Sequence, residues 1–398
     1  MKKYDLIILG AGITGMSVAR QQILSDSSCK ILIIEKEQKI GMHGSGRNSG
    51  VLHSGIYYPS DTLKAKFCSE GSRLMADYCE EYNLPILKCG KVILPTKVKD
   101  DGQIDLLYDR GITNGALVEI ISQKELGEIE PEANPIVQRA LYSPNTSVVD
   151  PHMVLDTIQS ELKSHGVTIL FNEKVVSANP DSSIIKTNKN NSFKYDRLIN
   201  CTGQHSDVVS KIFNVGKTYT LLPFKGLYYG LHKNSNIRLN GLIYPVPDLD
   251  IPFLGIHSVK LVDGNIYFGP TAIPAFGREH YQGFKGVNIK DATSISYHLL
   301  RQYISNKQGF RSYTHQEMHK FLRSEFLKSM QKLIPKLSSS DLVASQKSGI
   351  RAQLLDTKNN ELVMDFLVER VDNTTHVLNA VSPAFTSAFS FAKYILNK

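Results

Sequence analysis

The sequence DLIILGAGITG spans residues 5–15 and joins a short apolar run to a glycine-rich turn. A continuous apolar run of this length is typical of a β-strand that is buried on both faces of a parallel sheet. The glycines have the spacing Gly10-x-Gly12-x-x-Gly15, and residues 13–24 follow with a helical apolar pattern. In such a unit Gly10 permits a tight turn, Gly12 lets a pyrophosphate approach the backbone, and Gly15 lets the helix pack on the strand. The helix N-terminus then offers unpaired N–H groups to the phosphates.

An acidic residue ends the second predicted strand, residues 31–34. Glu35 follows this strand, 20 residues after Gly15. A carboxylate at this position accepts hydrogen bonds from ribose hydroxyls and disfavours a 2′-phosphate. The unit therefore predicts a site for FAD or NAD rather than NADP. A glycine-rich turn with a purely structural role is the alternative.

A glycine- and serine-rich loop at residues 41–58 has neither a helical nor a strand period. Long loops inside compact domains are usually functional. N–H donors and one guanidinium in it suit a pyrophosphate or a flavin edge. These residues are Ser45, Gly46, Arg47, Asn48 and Ser49. His53 lies just beyond them, where an imidazole can accept a hydroxyl proton while hydride leaves the same carbon. A backbone hydrogen bond that caps the loop is the other interpretation of His53.

The composition is that of an ordinary globular protein. The 398 residues predict two or three domain-sized units. Hydrophobic residues make up 41% and charged residues 21% of the chain. The net charge is +8, but Lys and Arg form no dense run, so nucleic acid is not an expected partner. The five cysteines form no CxxC or Cys/His cluster, which favours reduced thiols over disulfides or a metal site.

Strand and helix patterns alternate over three separate stretches of the chain. They are residues 1–88, 146–215 and 345–398, which we predict to form one discontinuous, doubly wound cofactor domain. Residues 89–145 and 216–344 are richer in strands and are predicted to form a second, substrate-binding domain. No window reaches the roughly 18 apolar residues of a membrane-spanning helix.

Several blocks of the sequence carry a resemblance to a known family. The longest is GRNSGVLHSGIYYP at 46–59, followed by LKAKFC at 63–68. Further blocks are PFKG at 223–226, IYPVPD at 243–248, PFLGIH at 252–257, AFGRE at 275–279, GIRAQ at 349–353 and residues 379–386. The chain resembles the L-2-hydroxyglutarate dehydrogenase/oxidase family, FAD enzymes of the D-amino-acid-oxidase-like superfamily. The matches span residues 4–396. The blocks at 46–59 and 243–248 are much more specific than the glycine motif.

The resemblance implies a fold and an activity. The fold is α/β, with a Rossmann-like FAD domain of the glutathione-reductase type and a mixed β-sheet substrate domain. The activity is oxidation of L-2-hydroxyglutarate, or a close 2-hydroxy acid, to the 2-oxo acid, with hydride passing to flavin N5. His53 would accept the proton, and a membrane quinone or dioxygen would take the electrons. An amine or amino-acid oxidase of the same fold, and an FAD-bound protein without turnover, are the alternatives. The expected location is the cytoplasm or, peripherally, the inner membrane.

A dicarboxylate in a closed pocket needs cationic or multi-donor groups, because a buried unpaired carboxylate is costly. The matched blocks supply Lys225, Arg278 and Arg351, whose alternative roles are structural ion pairs or solvated charges. Tyr57 and Tyr244 are further candidates, although aromatic packing is the commoner role of a tyrosine. Gly349 predicts a tight turn beside the flavin, which favours Arg351 among the cations.

The residues expected at the cofactor come from the motif, the loop and the matched blocks. They are Gly10, Gly12, Ile13, Thr14, Gly15, Glu35, Lys36, Ser45, Gly46, Arg47, Asn48, Ser49, Val51, Val175, Thr202, Gly203, Gly349, Arg351, Ser382, Pro383, Ala384 and Thr386. Residues 382–386 are predicted to open the last helix, where N–H groups would stabilise negative charge on the reduced flavin.

Two positions depart from the family pattern. Arg47 stands where many members have His, directly before Asn-Ser-Gly. Residues 385–387, Phe-Thr-Ser, replace a run of small residues. Both positions are expected near the flavin, where they would affect the substrate and the electron acceptor. The resemblance therefore predicts the fold more directly than it predicts the substrate or the acceptor.

Overall fold

The computed structural model describes residues 1–249 and 253–398. Pro252, the first residue of one matched block, lies outside the described residues. The α-helices are α1 (Ile13–Ser25), α2 (Leu63–Glu81), α3 (Asp101–Thr113), α4 (Gln123–Ile129), α5 (Pro151–Ser164), α6 (Ser206–Ile212), α7 (Ile289–Ser305), α8 (Phe310–His319), α9 (Arg323–Gln331) and α10 (Ala388–Asn397).

The β-strands are short in most of the chain. They are β1 (Lys2–Leu9), β2 (Ile31–Ile34), β3 (Val51–Leu52), β4 (Ile86–Lys88), β5 (Lys91–Leu94), β6 (Glu119–Ser122), β7 (Arg139–Ser143), β8 (Ser147–Val149), β9 (Thr168–Leu170), β10 (Val175–Asn179), β11 (Ile184–Thr187), β12 (Ser192–Asn200), β13 (Tyr219–Leu231), β14 (Leu242–Pro245), β15 (His257–Lys260), β16 (Ile266–Gly269), β17 (Ile273–Pro274), β18 (Leu342–Asp356), β19 (Glu361–Leu362), β20 (Leu367–Val371) and β21 (Thr374–Asn379).

The chain divides into two compact units. Unit 1 comprises Met1–Asn48, Pro151–Pro223 and Arg351–Lys398, and unit 2 comprises Ser49–Asp150 and Phe224–Ile350. The largest difference from the predicted boundaries is at residues 49–88, which the sequence analysis placed in the cofactor domain. In the structure β3 and β4 of this segment both pair antiparallel with β8, whose residues 147–149 were also predicted in the cofactor domain but belong to unit 2. A two-residue strand such as β3 has no apolar period from which this pairing could be predicted. Residues 345–350 likewise belong to unit 2, and residues 216–223 belong to unit 1.

Unit 1 is built on an eight-stranded sheet. Its strand order is β10-β11-β12-β1-β2-β9, with β21 also paired to β12 and β20 to β21. β1 is parallel to both β2 and β12, so the predicted βαβ unit is confirmed. Ile7 and Leu32 in these strands are fully buried, which explains their continuous apolar runs. α1 packs against α5 and α10.

Unit 2 contains smaller, mixed sheets. One has the order β14-β5-β7-β6, in which β14 is parallel and β7 antiparallel to β5. A three-stranded sheet has the order β3-β8-β4, and β15, β16 and β13 form an antiparallel series. One apolar cluster gathers around Phe326 and Ile243. A second includes Tyr57, Ile93 and Tyr244.

Two further expectations concern the described residues. The five cysteines are all free. In the part of the chain that the structure describes, no helix is long and apolar enough to cross a membrane.

Candidate functional site

The glycine-rich turn links β1 to α1 in unit 1, and two of its positions exclude any side chain. Gly10 has a φ of +100°, and a Cβ there would lie 2.7 Å from the carbonyl oxygen of Cys201. A Cβ on Gly15 would lie 2.1 Å from the carbonyl oxygen of Gly10. The turn therefore lies in direct contact with both the start of α1 and the segment that follows β12.

The N-terminus of α1 is capped by a residue that is distant in sequence. Gly12 at the N-cap has no side chain to accept a hydrogen bond. Instead, the N–H of Ile13 donates to Ser45 Oγ at 2.9 Å. The other N–H groups of the first turn, including that of Thr14, have no acceptor within the helix. Together with the helix dipole they make this end of α1 suitable for a phosphate.

Glu35 follows β2, at the carboxyl end of the parallel strands. Its Oε2 accepts the N–H of Ala11 at 2.8 Å, and its Oε1 accepts the N–H of Glu37 at 2.9 Å. These bonds fix the carboxylate beside the glycine turn. Because a carboxylate has about four lone-pair sites, Glu35 keeps acceptor capacity for a ribose hydroxyl.

Lys36, the next residue, pairs with a neighbouring acid. Its Nζ and the Nε2 of His43 both contact Glu37 Oε1, the latter at 2.9 Å. Burial opposes ionisation of Glu37, but hydrogen bonds and positive charge from Lys36 and His43 outweigh it and hold the pKa of Glu37 below its usual range. The ammonium of Lys36 is thus oriented by Glu37.

The loop after Lys36 folds onto itself. Arg47 Nε donates to the carbonyl oxygen of Met42 at 2.9 Å, and Asn48 Nδ2 donates to that of Ser45 at 2.7 Å. A Cβ on Gly46 would lie 2.2 Å from the carbonyl oxygen of Gly41. These contacts hold Ser45 at the start of α1.

Two further loop residues that were expected at the cofactor belong to unit 2. Ser49 is its first residue, and Val51 is buried in β3.

Thr202, one of the residues expected at the cofactor, lies beside the glycine turn. A Cβ on Gly10 would lie 3.2 Å from the Cα of Thr202. Its N–H and its Oγ1 both donate to Asn200 Oδ1, at 3.1 and 2.6 Å. Gly203 follows with a φ of +53°. Val175 begins β10, two residues after Glu173, whose N–H donates to the carbonyl oxygen of Glu35.

The last helix begins later than predicted. Residues 382–387 form turns, and α10 begins at Ala388. The N–H of Ala384 donates to Val381 and that of Ser387 to Pro383, both at carbonyl oxygens. Thr386 is buried within this segment. Turns, rather than the first turn of a helix, therefore hold Ser382, Pro383, Ala384 and Thr386.

Gly349 and Arg351 both lie in β18. The tight turn expected at Gly349 is wrong, because this residue is in the interior of a 15-residue strand. Pairing within a sheet overrides the turn preference of a single glycine. Gly349 belongs to unit 2, and Arg351, which is half-buried, is the first residue of the last segment of unit 1.

His53 follows β3 in unit 2 and is 9% exposed. Its carbonyl oxygen accepts the Cys68 S–H at 3.2 Å. The hydroxyl of Ser54 contacts those of Ser143 and Thr146 at 2.8 and 2.9 Å. The carbonyl group of His53 and the side chain of Ser54 are thus both anchored.

Tyr57 and Tyr244 both contact a buried lysine that the sequence analysis did not select. Lys91 Nζ lies 4.9 Å from the ring centroid of Tyr57 and 5.4 Å from that of Tyr244, within cation–π range. Lys91 is 1% exposed. Among the described residues its ammonium has neither a hydrogen bond nor an ion pair. Burial lowers the pKa of Lys91 to about 8.

The two tyrosine rings are fixed by other contacts. The carbonyl oxygen of Tyr57 accepts a hydrogen bond from Arg110 at 3.1 Å. The ring of Tyr244 stacks on His257 at a centroid distance of 3.8 Å. Burial raises the pKa of Tyr57 well above its usual value. Its hydroxyl has no hydrogen-bond partner in the described part of the chain.

The other two candidate cations have different surroundings in unit 2. Lys225 lies in β13 opposite Ile273 and is half-buried, and burial lowers its pKa. Arg278 lies in a turn in which the N–H of His280 donates to Gly277.

The comparisons with known proteins identify the family. The sequence-family model of the FAD dependent oxidoreductases matches residues 5–397 of this chain. The chain belongs to this family. The expected FAD chemistry and fold class are thereby confirmed.

Relatives of this FAD-dependent oxidoreductase match it along its length. The mitochondrial L-2-hydroxyglutarate dehydrogenase of Nematostella vectensis is 34% identical over 423 residues, 99% of this chain and 90% of the relative. The L-2-hydroxyglutarate dehydrogenase of Escherichia coli K12 is 32% identical, with 99% and 93% covered. The solved structure of L-alpha-glycerophosphate oxidase from Mycoplasma pneumoniae with FAD bound has a TM-score of 0.78 at 22% identity, over 100% of this chain and 96% of that one. At this identity the structural match shows the fold.

The residues of unit 1 in this FAD-dependent oxidoreductase fit FAD. The first turn of α1 has N–H groups without helical acceptors. A Cβ on Gly12 would lie 2.9 Å from Ser45 Oγ. Only glycine leaves the backbone there open to a pyrophosphate. Glu35, which accepts two backbone N–H groups, would bind the ribose. These groups would hold the ADP half of FAD.

Lys91 is the residue that the sequence analysis of this oxidoreductase missed. It begins β5, KVIL, in which every residue is buried. A charged residue in a short, otherwise apolar strand is a signal that could have selected it. Lysine often projects its charged end into water from such a position, and only the structure shows that Lys91 does not.

Proposed function

We propose that this FAD-dependent oxidoreductase oxidises L-2-hydroxyglutarate, or a close 2-hydroxy acid, to the corresponding 2-oxo acid. The observation that carries the proposal is the similarity to proteins named L-2-hydroxyglutarate dehydrogenase, at 34% identity over 99% of the chain. A match of this extent includes the residues of unit 2 as well as those of the cofactor unit.

Oxidation of a 2-hydroxy acid removes a hydride from C2 and a proton from the hydroxyl oxygen, and bound FAD supplies the hydride acceptor. His53 accepts the hydroxyl proton at a ring nitrogen. Its burial keeps bulk water from competing for that proton, and the contacts at its carbonyl oxygen and at Ser54 fix its position. Proton acceptance by a positioned histidine contributes about 10²–10⁴-fold to the rate.

The substrate has two carboxylates, which require donors on the protein. We assign these donors to the cationic and phenolic candidates of the sequence analysis. They are Tyr57, Lys225, Tyr244, Arg278 and Arg351. At the cofactor, Ser45 and the first turn of α1 would bind the pyrophosphate, and Glu35 would bind the ribose. Thr202 would lie where the cofactor approaches the backbone beside Gly10.

Anaerobic mixing of the flavin-loaded protein with L-2-hydroxyglutarate tests the activity. We expect rapid loss of the visible flavin absorbance with this isomer. D-2-Hydroxyglutarate, L-lactate, L-malate and a panel of amino acids serve as comparisons. Bleaching by an amino acid, but not by L-2-hydroxyglutarate, would show that the protein is an amine or amino-acid oxidase and would contradict the proposal. If none of these compounds bleached a stoichiometrically bound flavin, the proposal that the protein oxidises one of them would be wrong.

Replacement of His53 tests its role as base. The variant His53→Gln should bind FAD normally but should reduce it about 10²–10⁴-fold more slowly. His165→Gln, at an exposed position after α5, is the matched control and should retain the wild-type rate. An unchanged rate of flavin reduction in His53→Gln would remove His53 from the mechanism.

We also propose that a membrane quinone accepts the electrons, with unit 2 on the membrane surface. Tyr297, Leu300 and Ile304 share one face of α7 and are 60–66% exposed. Residues 284–323 contain seven Lys and Arg against two acidic residues, which is five of the net +8 charge. An exposed apolar helix face with basic surroundings suits an anionic lipid surface.

Vesicle flotation tests this surface. We expect the flavin-loaded protein to float with phosphatidylglycerol-containing vesicles and to stay behind with pure phosphatidylcholine. Leu300→Glu should reduce flotation, whereas Val371→Glu, at an exposed apolar position of unit 1, should not. Reoxidation by dioxygen that is faster than by a soluble quinone, without flotation, would contradict the proposal.

A further inference from the structure

Lys91 is a buried charge for which the described protein provides no counter-charge. Its pKa of about 8 leaves the ammonium form in excess at neutral pH. An ammonium that is removed from water without an anion is costly. The faces of Tyr57 and Tyr244 offset part of that cost. They do not supply a negative charge or a hydrogen-bond acceptor along the N–H directions.

Two titratable groups beside Lys91, the Cys68 thiol and the Tyr57 hydroxyl, are neutral. Burial raises the pKa of the Cys68 thiol on α2 to about 12, although the charge of Lys91 opposes this rise. Burial also keeps the hydroxyl of Tyr57 protonated, because its pKa lies well above the usual value. Tyr57 therefore offers one O–H donor that has no acceptor among the described residues. Two buried donors thus lie next to each other with nothing to receive their protons.

We infer that Lys91 and Tyr57 form the carboxylate-binding group of the substrate site. The ammonium of Lys91 pairs with one carboxylate of the substrate, and the hydroxyl of Tyr57 donates a hydrogen bond to the same group. The identity of the dicarboxylate rests on the proposed function. The need for an anion rests on the burial and the missing partners of these two residues alone.

The surroundings favour a carboxylate over a phosphate. Tyr57 belongs to an apolar cluster that also includes Ile93, Tyr244 and Val246, and Lys91 contacts the rings of two of its members. One ammonium balances the single charge of a carboxylate, whereas a phosphate dianion requires more donors than this cluster offers. Apolar walls also suit the methylene groups that join the two carboxylates of a 2-hydroxydicarboxylic acid.

Titration of the flavin-loaded protein with glutarate tests the inference. Glutarate has both carboxylates of the proposed substrate but no hydroxyl group, so it binds without being oxidised. Calorimetry then gives Kd independently of turnover. We expect Lys91→Met to raise Kd about 100-fold, as is typical when one partner of a buried charge pair is removed. Tyr57→Phe should raise it about 5-fold, the value of one neutral hydrogen bond.

Lys260→Met is the matched control. Lys260 also belongs to unit 2, but its Nζ donates to the carbonyl oxygen of Leu239 at 3.0 Å. Its replacement should leave the Kd for glutarate within about 2-fold of wild type. Flavin content and circular dichroism establish folding, and Lys91→Met replaces a buried charge by an apolar side chain of similar length, a change that folds are known to accept.

The pH dependence of binding separates an electrostatic role from a structural one. Above pH 8 the Kd of wild type should rise about tenfold per pH unit, because Lys91 must be protonated to pair with glutarate. Cys68 and Tyr57 titrate at higher pH and do not contribute in this window. Lys91→Arg should bind glutarate without this break, since a guanidinium stays charged.

The outcomes distinguish this inference from the proposed function. Wild-type Kd for glutarate in Lys91→Met would overturn the inference, even if L-2-hydroxyglutarate bleaches the flavin. Lys91-dependent binding of glutarate without bleaching by L-2-hydroxyglutarate would support the carboxylate site and overturn the proposed substrate.

Discussion

The polar groups of two regions differ in their hydrogen bonding: the cofactor cradle of unit 1, formed by residues 10–15, Glu35 and Ser45, and the Lys91 cluster of unit 2, formed by Lys91, Tyr57 and Tyr244. In the cradle each functional side chain already has a protein partner: Glu35 accepts two backbone N–H groups and Ser45 accepts one. In the cluster Lys91 and Tyr57 have no hydrogen-bond partner among the described residues. The cradle can thus form as a scaffold with its geometry set in advance, whereas the cluster is complete only with an anion present.

This difference determines how each region should respond to substitution. Changes in the cradle remove packing or hydrogen bonds that the folded chain uses, so they should lower both stability and FAD affinity. Removing the charge from the cluster should increase stability and weaken dicarboxylate binding. Stability and binding should therefore change in the same direction in unit 1 and in opposite directions at Lys91.

Gly15→Ala should have the largest effect on the cradle. The added Cβ would meet the carbonyl oxygen of Gly10 at 2.1 Å, a distance that only a backbone shift can relieve. We expect the protein to lose bound flavin and to unfold at lower denaturant concentration. The matched control is Gly127→Ala in α4, where a Cβ meets nothing within 4 Å. This control should gain about 0.5–1 kcal/mol. Normal flavin content in Gly15→Ala would contradict the geometry of the turn.

Lys91→Met should stabilise unit 2 in the absence of dicarboxylate. The pKa of Lys91 is about 8 in the folded chain and 10.5 in the reference state. Because the unfolded chain binds more protons between these values, wild-type stability rises with pH in that window. Below pH 8 the variant should be more stable by about 3 kcal/mol, at 1.36 kcal/mol per pKa unit. The difference should disappear above pH 10.5.

Urea titrations of both proteins from pH 7 to 11 measure this difference. Lys186→Met, on an exposed position of β11, should change stability by less than about 0.5 kcal/mol at every pH. A Lys91→Met variant that is less stable than wild type at pH 7 would mean that the ammonium has a partner in the folded state.

Much of the cradle was predictable because its signals are local. The spacing of Gly10, Gly12 and Gly15 and the position of Glu35 are visible in residues 5–35, and each is tied to one conformation. The loop contact of Ser45 with α1 was expected as a cofactor contact, but its capping of Ile13 depends on a fold of the intervening chain. The start of α10 was misplaced because turn bonds at Ala384 and Ser387 replace the helix there.

The Lys91 cluster could not be predicted in the same way. Its members come from three separate segments, around Tyr57, Lys91 and Tyr244, that only the sheets of unit 2 bring together. Whether a lysine at the start of an apolar strand reaches water depends on what covers it. The sequence of β5 can select Lys91 as a candidate, but it does not show whether the ammonium reaches water. The cations that were selected instead lay in blocks of family resemblance, which indicate where function concentrates but not which charge is unpaired.

Acid should destabilise unit 1 through His376. This residue is fully buried in β21 beside Asn200, and burial lowers its pKa from 6.5 to about 4. The unfolded chain therefore binds the additional proton first as the pH falls. Wild type should lose up to about 3 kcal/mol between pH 6.5 and 4 that His376→Gln does not lose. Urea titrations at pH 7, 5.5 and 4 measure the loss, with His165→Gln as the control at an exposed position. Parallel pH curves for wild type and His376→Gln would disprove it.

The smallest effect compares two helix caps, one in each unit. Ser45 Oγ accepts the N–H of Ile13 in α1, and Thr62 Oγ1 accepts the N–H of Ala65 in α2. Ser45→Ala and Thr62→Ala should each cost about 1 kcal/mol of stability, because each leaves one helix N–H without its acceptor. Only Ser45→Ala should also weaken FAD, by a few fold, since α1 and not α2 begins at the glycine turn. Flavin dissociation during dialysis, measured beside urea unfolding, separates the two quantities. Equal flavin retention in both variants would mean that the cap acts on folding alone and that the first turn of α1 binds the pyrophosphate without help from Ser45.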